Sequence, residues 1–474
     1  MDNHQLSLYE SLAEEISQMI KNRVLVPGDR LPSVRKLAQK KQYSISTVTQ
    51  AMRLLESRGL IDVKPQAGYF VRHKPRPLNA PDSNEFKIPT YVDISNGLTQ
   101  ILKANAGPSL VQLGKAWLPD DLLPIKRLQA VISNVARNNP SLLGSPSFFD
   151  LNEASFVRQL VLRADWGDID PGEVIVTNSG TEALSLCLRL IAQPGDTIAI
   201  ESPCHMLTLQ LIQTLGMKAL EIPTHPTTGV VLEALELALR QGMVKAVMMQ
   251  PNASNPMGFV MSVEKKRQLA AMLETYQVPM IENDVYGDLC FATDRPPPVK
   301  AFDKAGNVLL CSSFSKVIGP ALSAGYIMAG KFAHKMIFMK SLSSGPASHF
   351  KQAVMAGMIS SPSYNSHLRH IRRVITQRIA QTSDAVAKAF PQSCSISEPQ
   401  GGFVLWVQLP QHVDSFKLHT QAVENGIAFM PGPLFSPSGK YSNFMRLNCG
   451  NAWCSEIDAA IKKLGQLVRN YEYE

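Results

Sequence analysis

The sequence predicts an α/β chain of two unequal units: a small helical unit closed by a hairpin, then a large unit built on a doubly wound, mostly parallel sheet. Three observations carry this expectation. The first 80 residues hold a basic block with helical periodicity, a proline-rich stretch follows, and beyond it short apolar runs alternate with helical segments over several hundred residues. At 474 residues the chain is roughly three times the ~150-residue domain prior, so a single small module is excluded. With 45% apolar and 18% charged residues it is neither a disordered chain nor a long coiled coil.

In the first unit, Leu8, Leu12, Ile16 and Ile20 recur every four residues and define one helix face, closed by the turn signal Pro27-Gly28-Asp29. Ser33 is placed to cap a second, short helix that turns Leu37 and Ala38 inward. Ser44 and Ser46 offer a cap for a third helix, whose stripe is Val48, Ala51, Met52 and Leu55 and which stops at Gly59. LIDVKPQAGYFV then predicts a β-hairpin with its tip at Pro65-Gln66-Ala67-Gly68. Two helices joined by a short turn and followed by such a wing make a winged helix-turn-helix.

The net charge of +8 supports double-stranded DNA as a partner, because residues 1–80 hold 13 Lys and Arg against 7 Asp and Glu and the rest of the chain is nearly balanced. Thr47, Thr49 and Gln50 fall on the outer face of the third helix near base edges, while Arg35, Arg53 and Lys64 would neutralise phosphates.

PGDRLPSVRKLA, SISTVTQAMRLLESRGLI and PQAGYFV together resemble the DNA-binding domain of GntR-type bacterial regulators. The resemblance implies DNA contacts at Arg35, Ser44, Ser46, Thr47, Thr49 and the wing residues Gln66 and Gly68, to which the helix face adds Gln50.

The next stretch, with Pro75, Pro77, Pro81 and Pro89, is polar and aperiodic and predicts a semi-stiff exposed linker. The expected organisation is 1–73 for the winged helix, 74–92 for the linker and 93–474 for the large unit.

In the large unit, EVIVTN, DTIAIES, KAVMMQPN, VPMIEND and NVLLCSS are five strand candidates, and parallel sheets of this kind bind ligands beyond their strand carboxyl ends. Those ends carry Ser179-Gly180-Thr181, which opens a helix able to hold a phosphate. They also carry Asn255, Asp284 with Tyr286, and Ser313-Phe314-Ser315-Lys316, where a desolvated lysine could capture an aldehyde.

SGTEAL, ESPCH, NPMG, ENDVYGDL, SSFSK and MRLNCG, in that order, resemble the fold-type-I aminotransferases, which use pyridoxal phosphate. A GntR-like reader fused to such a domain resembles the MocR group of transcription regulators. The resemblance makes Lys316 the Schiff-base lysine and gives the phosphate to Ser179, Gly180, Thr181, Ser313 and Ser315. It gives the ring to His205, Asn255, Asn283, Asp284 and Tyr286, and an effector's carboxylate to Arg446.

Four positions depart from the family pattern. Asn283 stands where a carboxylate normally holds the pyridine nitrogen protonated, with Asp284 displaced by one; Ser323 stands where an arginine clamps the phosphate. His205 replaces a larger stacking aromatic, and Leu143 a tyrosine that reaches the partner subunit's phosphate. The resemblance also implies a homodimer sensing an amino-acid-like or vitamin-B6-type effector. The departures favour a regulator over a working aminotransferase, the alternatives being an active enzyme with a DNA-binding appendage and a regulator whose large domain is only a scaffold.

The seven scattered cysteines contain no CxxC pair and fit reduced thiols without a zinc site. The N-terminal MDNHQLSLYESLAEE resembles no signal peptide, and no apolar run is long enough to span a bilayer, so a cytoplasmic protein is expected.

Overall fold

The computed structural model describes residues 7–471 except 23, 26–27, 59, 65–67, 72–75, 82–87, 108, 145–151 and 323, together with the backbone but not the side chains of 21, 57 and 64. Gln66, Ser323, the hairpin tip and Gly59 therefore lie outside the described residues. The chain divides into two compact units on either side of Arg76 and Pro77.

The first unit holds helices α1 (Leu8–Lys21), α2 (Val34–Lys41) and α3 (Ile45–Ser57), then strands β1 (Ile61–Lys64) and β2 (Gly68–Val71) paired antiparallel. Ser33 accepts from the Lys36 N–H and Ser44 from the Thr47 N–H, so both helix starts are capped by side chain where the sequence offered serine. Leu12, Ile16, Leu37, Val48, Met52, Leu55 and Ile61 form one buried cluster that fixes α3 against α1 and α2. Gly68 has φ +103°, a conformation that L side chains rarely adopt, and it turns the chain into β2.

The second unit is organised by a nine-stranded sheet. Its main strands are β3 (Val174–Thr177), β4 (Thr197–Ser202), β5 (Lys218–His225), β6 (Ala246–Met249), β7 (Met280–Asn283), β8 (Val308–Ser313) and β9 (Gly325–Met328). The order is Thr90–Tyr91, β5, β4, β6, β7, β8, β9, β3, with Gly229–Val230 pairing off β5. Strands β5 to β8 run parallel, and β9 lies antiparallel between β8 and β3. Their near-continuous apolar runs are those of a sheet buried on both faces. The five expected strands are all present, whereas β5 and β9 were not anticipated.

The stretch read as a linker up to 92 joins the large unit before its expected end. Leu78 packs against the large core, Thr90–Tyr91 pair with β5, and Val92 is buried. A smaller sheet holds β10 (Val404–Gln408) and β11 (Phe444–Asn448), antiparallel, with Arg446 opposite Trp406. No helix among the described residues is long and apolar enough to cross a membrane.

Candidate functional site

The carboxyl ends of β3, β7 and β8 converge on a cavity of about 360 Å³, within the roughly 300–1,000 Å³ usual for small-molecule sites. It is lined by Ser179, Gly180, Thr181, His205, Asn255, Asn283, Tyr286, Ser313, Ser315, Lys316 and Arg446, among others. Eleven ligand-site residues expected from the sequence thus come together from segments up to 267 positions apart in the chain. Asp284, by contrast, does not line this cavity.

One end of the cavity is a hydroxyl-rich cup. Helix α4 (Gly180–Ile191) starts here, with Ser179 as its cap accepting from the Glu182 N–H at 3.1 Å. The N–H groups of Gly180 and Thr181 have no acceptor within their own helix, and the helix dipole places partial positive charge at the same end. Ser313 and Ser315 close the cup, their hydroxyls 2.9 Å apart.

Close packing builds this cup: a Cβ on Gly325 would lie 2.4 Å from the Ser179 backbone. Gly325→Ala is therefore expected to destabilise the fold by about 1–3 kcal/mol and to weaken anion binding at the cup. Gly167→Ala, where a Cβ meets nothing within 4 Å, should stay within about 0.5 kcal/mol of the parent. Urea unfolding of both variants checks the pair.

The lining also carries the cations Lys316 and Arg446, with no Asp or Glu among the described lining residues. Lys316 donates to the Ala116 carbonyl at 2.8 Å and sits 4.1 Å over the Trp117 ring. Burial, with Arg446 adding to it, pulls the Lys316 amine down to about 8. Arg446 is fully buried; it donates to Gly114 O at 2.6 Å and Asn255 Oδ1 at 3.2 Å, and its Nε has no partner. Burial brings its guanidinium down to about 10, so it remains charged at neutral pH. A buried guanidinium with only neutral partners and an idle donor is an open site for a carboxylate.

Asn255 links this arginine to Tyr286, donating to the phenol oxygen at 3.4 Å. Accepting there leaves the Tyr286 hydroxyl still able to donate its hydrogen to a ligand, and burial raises the phenol to about 12, keeping it protonated. His205 accepts from the Leu207 N–H through Nδ1. Burial first, then Arg446 and Lys316, holds its imidazole neutral, with a pKa near about 3.

Successive residues at the end of β7 point to opposite sides of the sheet. Asn283 faces the cavity, and its Oδ1 accepts from the Val285 N–H at 3.4 Å. Asp284 faces away, ion-paired with Arg295 and accepting from Asn252 at 3.0 Å. The ring contact expected at Asp284 is thus corrected: its carboxylate is turned to the far side of the strand. Among the described residues the cavity lining holds three cations, Lys115, Lys316 and Arg446, and neither Asp nor Glu. Leu143 is 62% exposed and is not part of the lining.

Trp117, Ala116 and Lys115 were not anticipated as site residues. GKAW carries no spacing signal, and Lys316 meets it across 200 positions of chain.

In the small unit, Arg35, Ser44, Ser46, Gln50 and Arg53 are exposed, and Thr47 and Thr49 are partly so. Ser44 is the helix cap, with its hydroxyl 2.7 Å from that of Ser46 and 2.8 Å from that of Thr47, and the Thr49 hydroxyl donates back to Ile45 O at 2.8 Å. Ile45, 57% exposed at the first position of α3, was not anticipated; an apolar group there suits a thymine methyl. Arg30 was also missed. It is bridged to Phe70 in β2, and its guanidinium lies beside Gly68 of the wing.

A winged helix-turn-helix joined to a fold with a lysine, a hydroxyl-lined helix N-terminus and a buried arginine around one cavity defines a DNA-binding regulator built with an aminotransferase fold. The family described as bacterial regulatory proteins, gntR family, matches residues 8–71, and the aminotransferase class I and II family matches residues 151–464. Two Escherichia coli K12 proteins, the uncharacterized HTH-type transcriptional regulators YdcR and YjiR, are each 34% identical to this chain. They match over 97% and 98% of this chain, and over 99% of their own lengths.

Among solved structures, the Pyrococcus horikoshii kynurenine aminotransferase superposes with a TM-score of 0.74 at 24% identity, over 80% of this chain and 95% of that one. The α-aminoadipate aminotransferase LysN of Thermus thermophilus gives 0.71 at 21% identity, over 79% and 95%. At these identities the enzymes share the fold. The chain belongs to the MocR-type group of GntR transcriptional regulators, in which a GntR-type reader is fused to an aminotransferase class I and II domain.

Proposed function

We propose that the chain is a homodimeric regulator acting in the cytoplasm, whose small unit binds operator DNA and whose large unit takes pyridoxal phosphate, an amino-acid-like effector, or both. The observation that carries this reading is the cavity itself, with Lys316, a hydroxyl-lined helix N-terminus and Arg446, whose Nε has no partner, around one volume.

The residues present fit pyridoxal phosphate. Ser179, Gly180, Thr181, Ser313 and Ser315 would bind its phosphate, His205 would support the ring, and Tyr286 with Asn255 would donate to the ring oxygen. Arg446 would pair with an effector's carboxylate through two parallel N–H bonds. When bound, pyridoxal phosphate supplies an aldehyde that a neutral amine can capture and a ring that draws electrons from an attached amino acid. Lys316 has the desolvated amine for that capture, whereas the ring side of the cavity offers Asn283 where an acid would be needed for strong electron withdrawal.

A sensor needs only that its ligand bind two arrangements of the protein unequally. Transamination needs the electron sink as well, and the amide at Asn283 weighs against it. The rival reading of a working aminotransferase is supported by Lys316 and Arg446; turnover of an amino-acid and keto-acid pair that disappears in Lys316→Ala would establish it.

Fluorescence anisotropy on operator DNA, titrated with pyridoxal phosphate and then with amino acids, tests the regulator reading. Operator affinity or half-site preference is expected to shift. Affinity unchanged by either, with no change in absorbance, would leave the large unit as a scaffold.

A further inference from the structure

The inference rests on the proposed occupation of the cavity by a vitamin-B6 phosphate and concerns the state in which the ring is held. The cavity is cationic: Lys115, Lys316 and Arg446 face it, and no carboxylate does among the described residues. The nearest acid in sequence, Asp284, is on the other side of β7 and is already engaged by Arg295 and Asn252. At the position facing the ring stands Asn283, whose carbonyl oxygen accepts from the Val285 N–H. That bond turns the amide oxygen toward the backbone of Val285, so the NH₂, on the other side of the amide, is the group presented to a ligand.

An NH₂ donor cannot pair with a pyridinium N–H, because two donors would face each other in a desolvated site and both would go unsatisfied. A positively charged ring would also add a like charge to a volume lined by the fully buried Arg446 and by no Asp or Glu among the described residues. A pyridine nitrogen with its lone pair free suffers neither penalty and accepts from the amide. We infer that Asn283 donates to the ring nitrogen of the bound ligand and selects the form in which that nitrogen carries no proton, the ring proton being released to solvent on binding.

The consequence for the regulator is specific. An unprotonated ring is a weak electron sink, so the site holds its ligand without the drive to turn it over. Asn283 is a specificity-determining residue in this sense: it chooses the protonation state of the ligand. Tyr286, which accepts from Asn255 and would donate its own hydrogen at the ring oxygen, favours the same acceptor-rich form.

The test is the ¹⁵N chemical shift of ring-labelled pyridoxal phosphate bound to the full-length protein. It is read at a pH where the free ligand's ring nitrogen is protonated. The wild-type complex is expected to show the unprotonated-pyridine shift, and Asn283→Asp, which restores an acid of the same size, the protonated one. A protonated shift in the wild-type complex overturns the inference, as does an Asn283→Asp complex that remains unprotonated. If neither protein binds the labelled ligand, the reading of the cavity as a vitamin-B6 site fails and the inference falls with it. A bound ligand with a protonated ring overturns the inference alone. The wild-type shift decides even if the variant folds poorly.

Discussion

Lys316→Ala is expected to abolish the covalent adduct: after incubation with pyridoxal phosphate and borohydride, the wild-type chain should gain the mass of the reduced ligand and the variant none. The expected change is complete because the adduct requires one amine in the cavity. Lys115 also lines that volume, but it is exposed, whereas the Lys316 amine is lowered by burial. The variant should still bind the ligand non-covalently, since the cup around Ser179, Ser313 and Ser315 is untouched.

The pH dependence follows from the lowered amine. Only the neutral form attacks an aldehyde, and Lys316 loses its proton at about 8 rather than at the ordinary lysine value. Below that point most of the amine is charged, so the rate of adduct formation falls by about tenfold per pH unit as the solution is made more acid. Above it the rate levels off. An unperturbed lysine would instead keep accelerating to about pH 10.4. Arg446→Met removes one of the two causes of the lowering and should move the break to higher pH. Stopped-flow absorbance from mildly acid to alkaline pH reads both effects, and a break unmoved in Arg446→Met would show that burial alone sets the amine.

Much of this site was legible because its residue types sit at strand ends within short local motifs. Ser179-Gly180-Thr181 follows a strand and opens a helix, and Ser313 to Lys316 follow another, so local sequence carries both the element and its exposed end. The Asn283 and Asp284 pair was legible as a composition but not as a direction. Which of two neighbours faces the ligand depends on the register of β7 between β6 and β8, where Asn283 is paired with Cys311.

Strand β5 escaped because KALEIPTH contains a proline, a glutamate and a histidine, residues that argue against a buried strand. In the fold Glu221 accepts from the Ser202, Ser436 and Ser438 hydroxyls, which satisfy its carboxylate. Strand β9 is four residues long, and its glycine is required by the Ser179 backbone rather than by any turn. Trp117 and Ala116 contact Lys316 only through tertiary folding, with no periodicity to announce them.

On the DNA side, a single substitution can report both the phosphate contact and the number of chains on the operator. Arg53 is exposed on the outer face of α3 and away from the buried cluster, so Arg53→Ala should leave the fold intact. If it neutralises one phosphate, the slope of log affinity against log salt becomes shallower by about 0.9 for each chain bound. One chain on the operator predicts a change of about 0.9, and the proposed dimer about 1.8. If Gln50 reads a base edge, Gln50→Ala should instead cost about 1–3 kcal/mol per chain on the operator while leaving the salt slope and non-specific binding unchanged. Anisotropy titrations at several salt concentrations on operator and random DNA separate these outcomes. Loss of affinity that is equal on both DNAs in Gln50→Ala would move that residue from base reading to backbone contact. A slope change near about 0.9 in Arg53→Ala would mean that one reader holds the site, and the regulatory scheme would then need a single chain to carry both the operator contact and the ligand response.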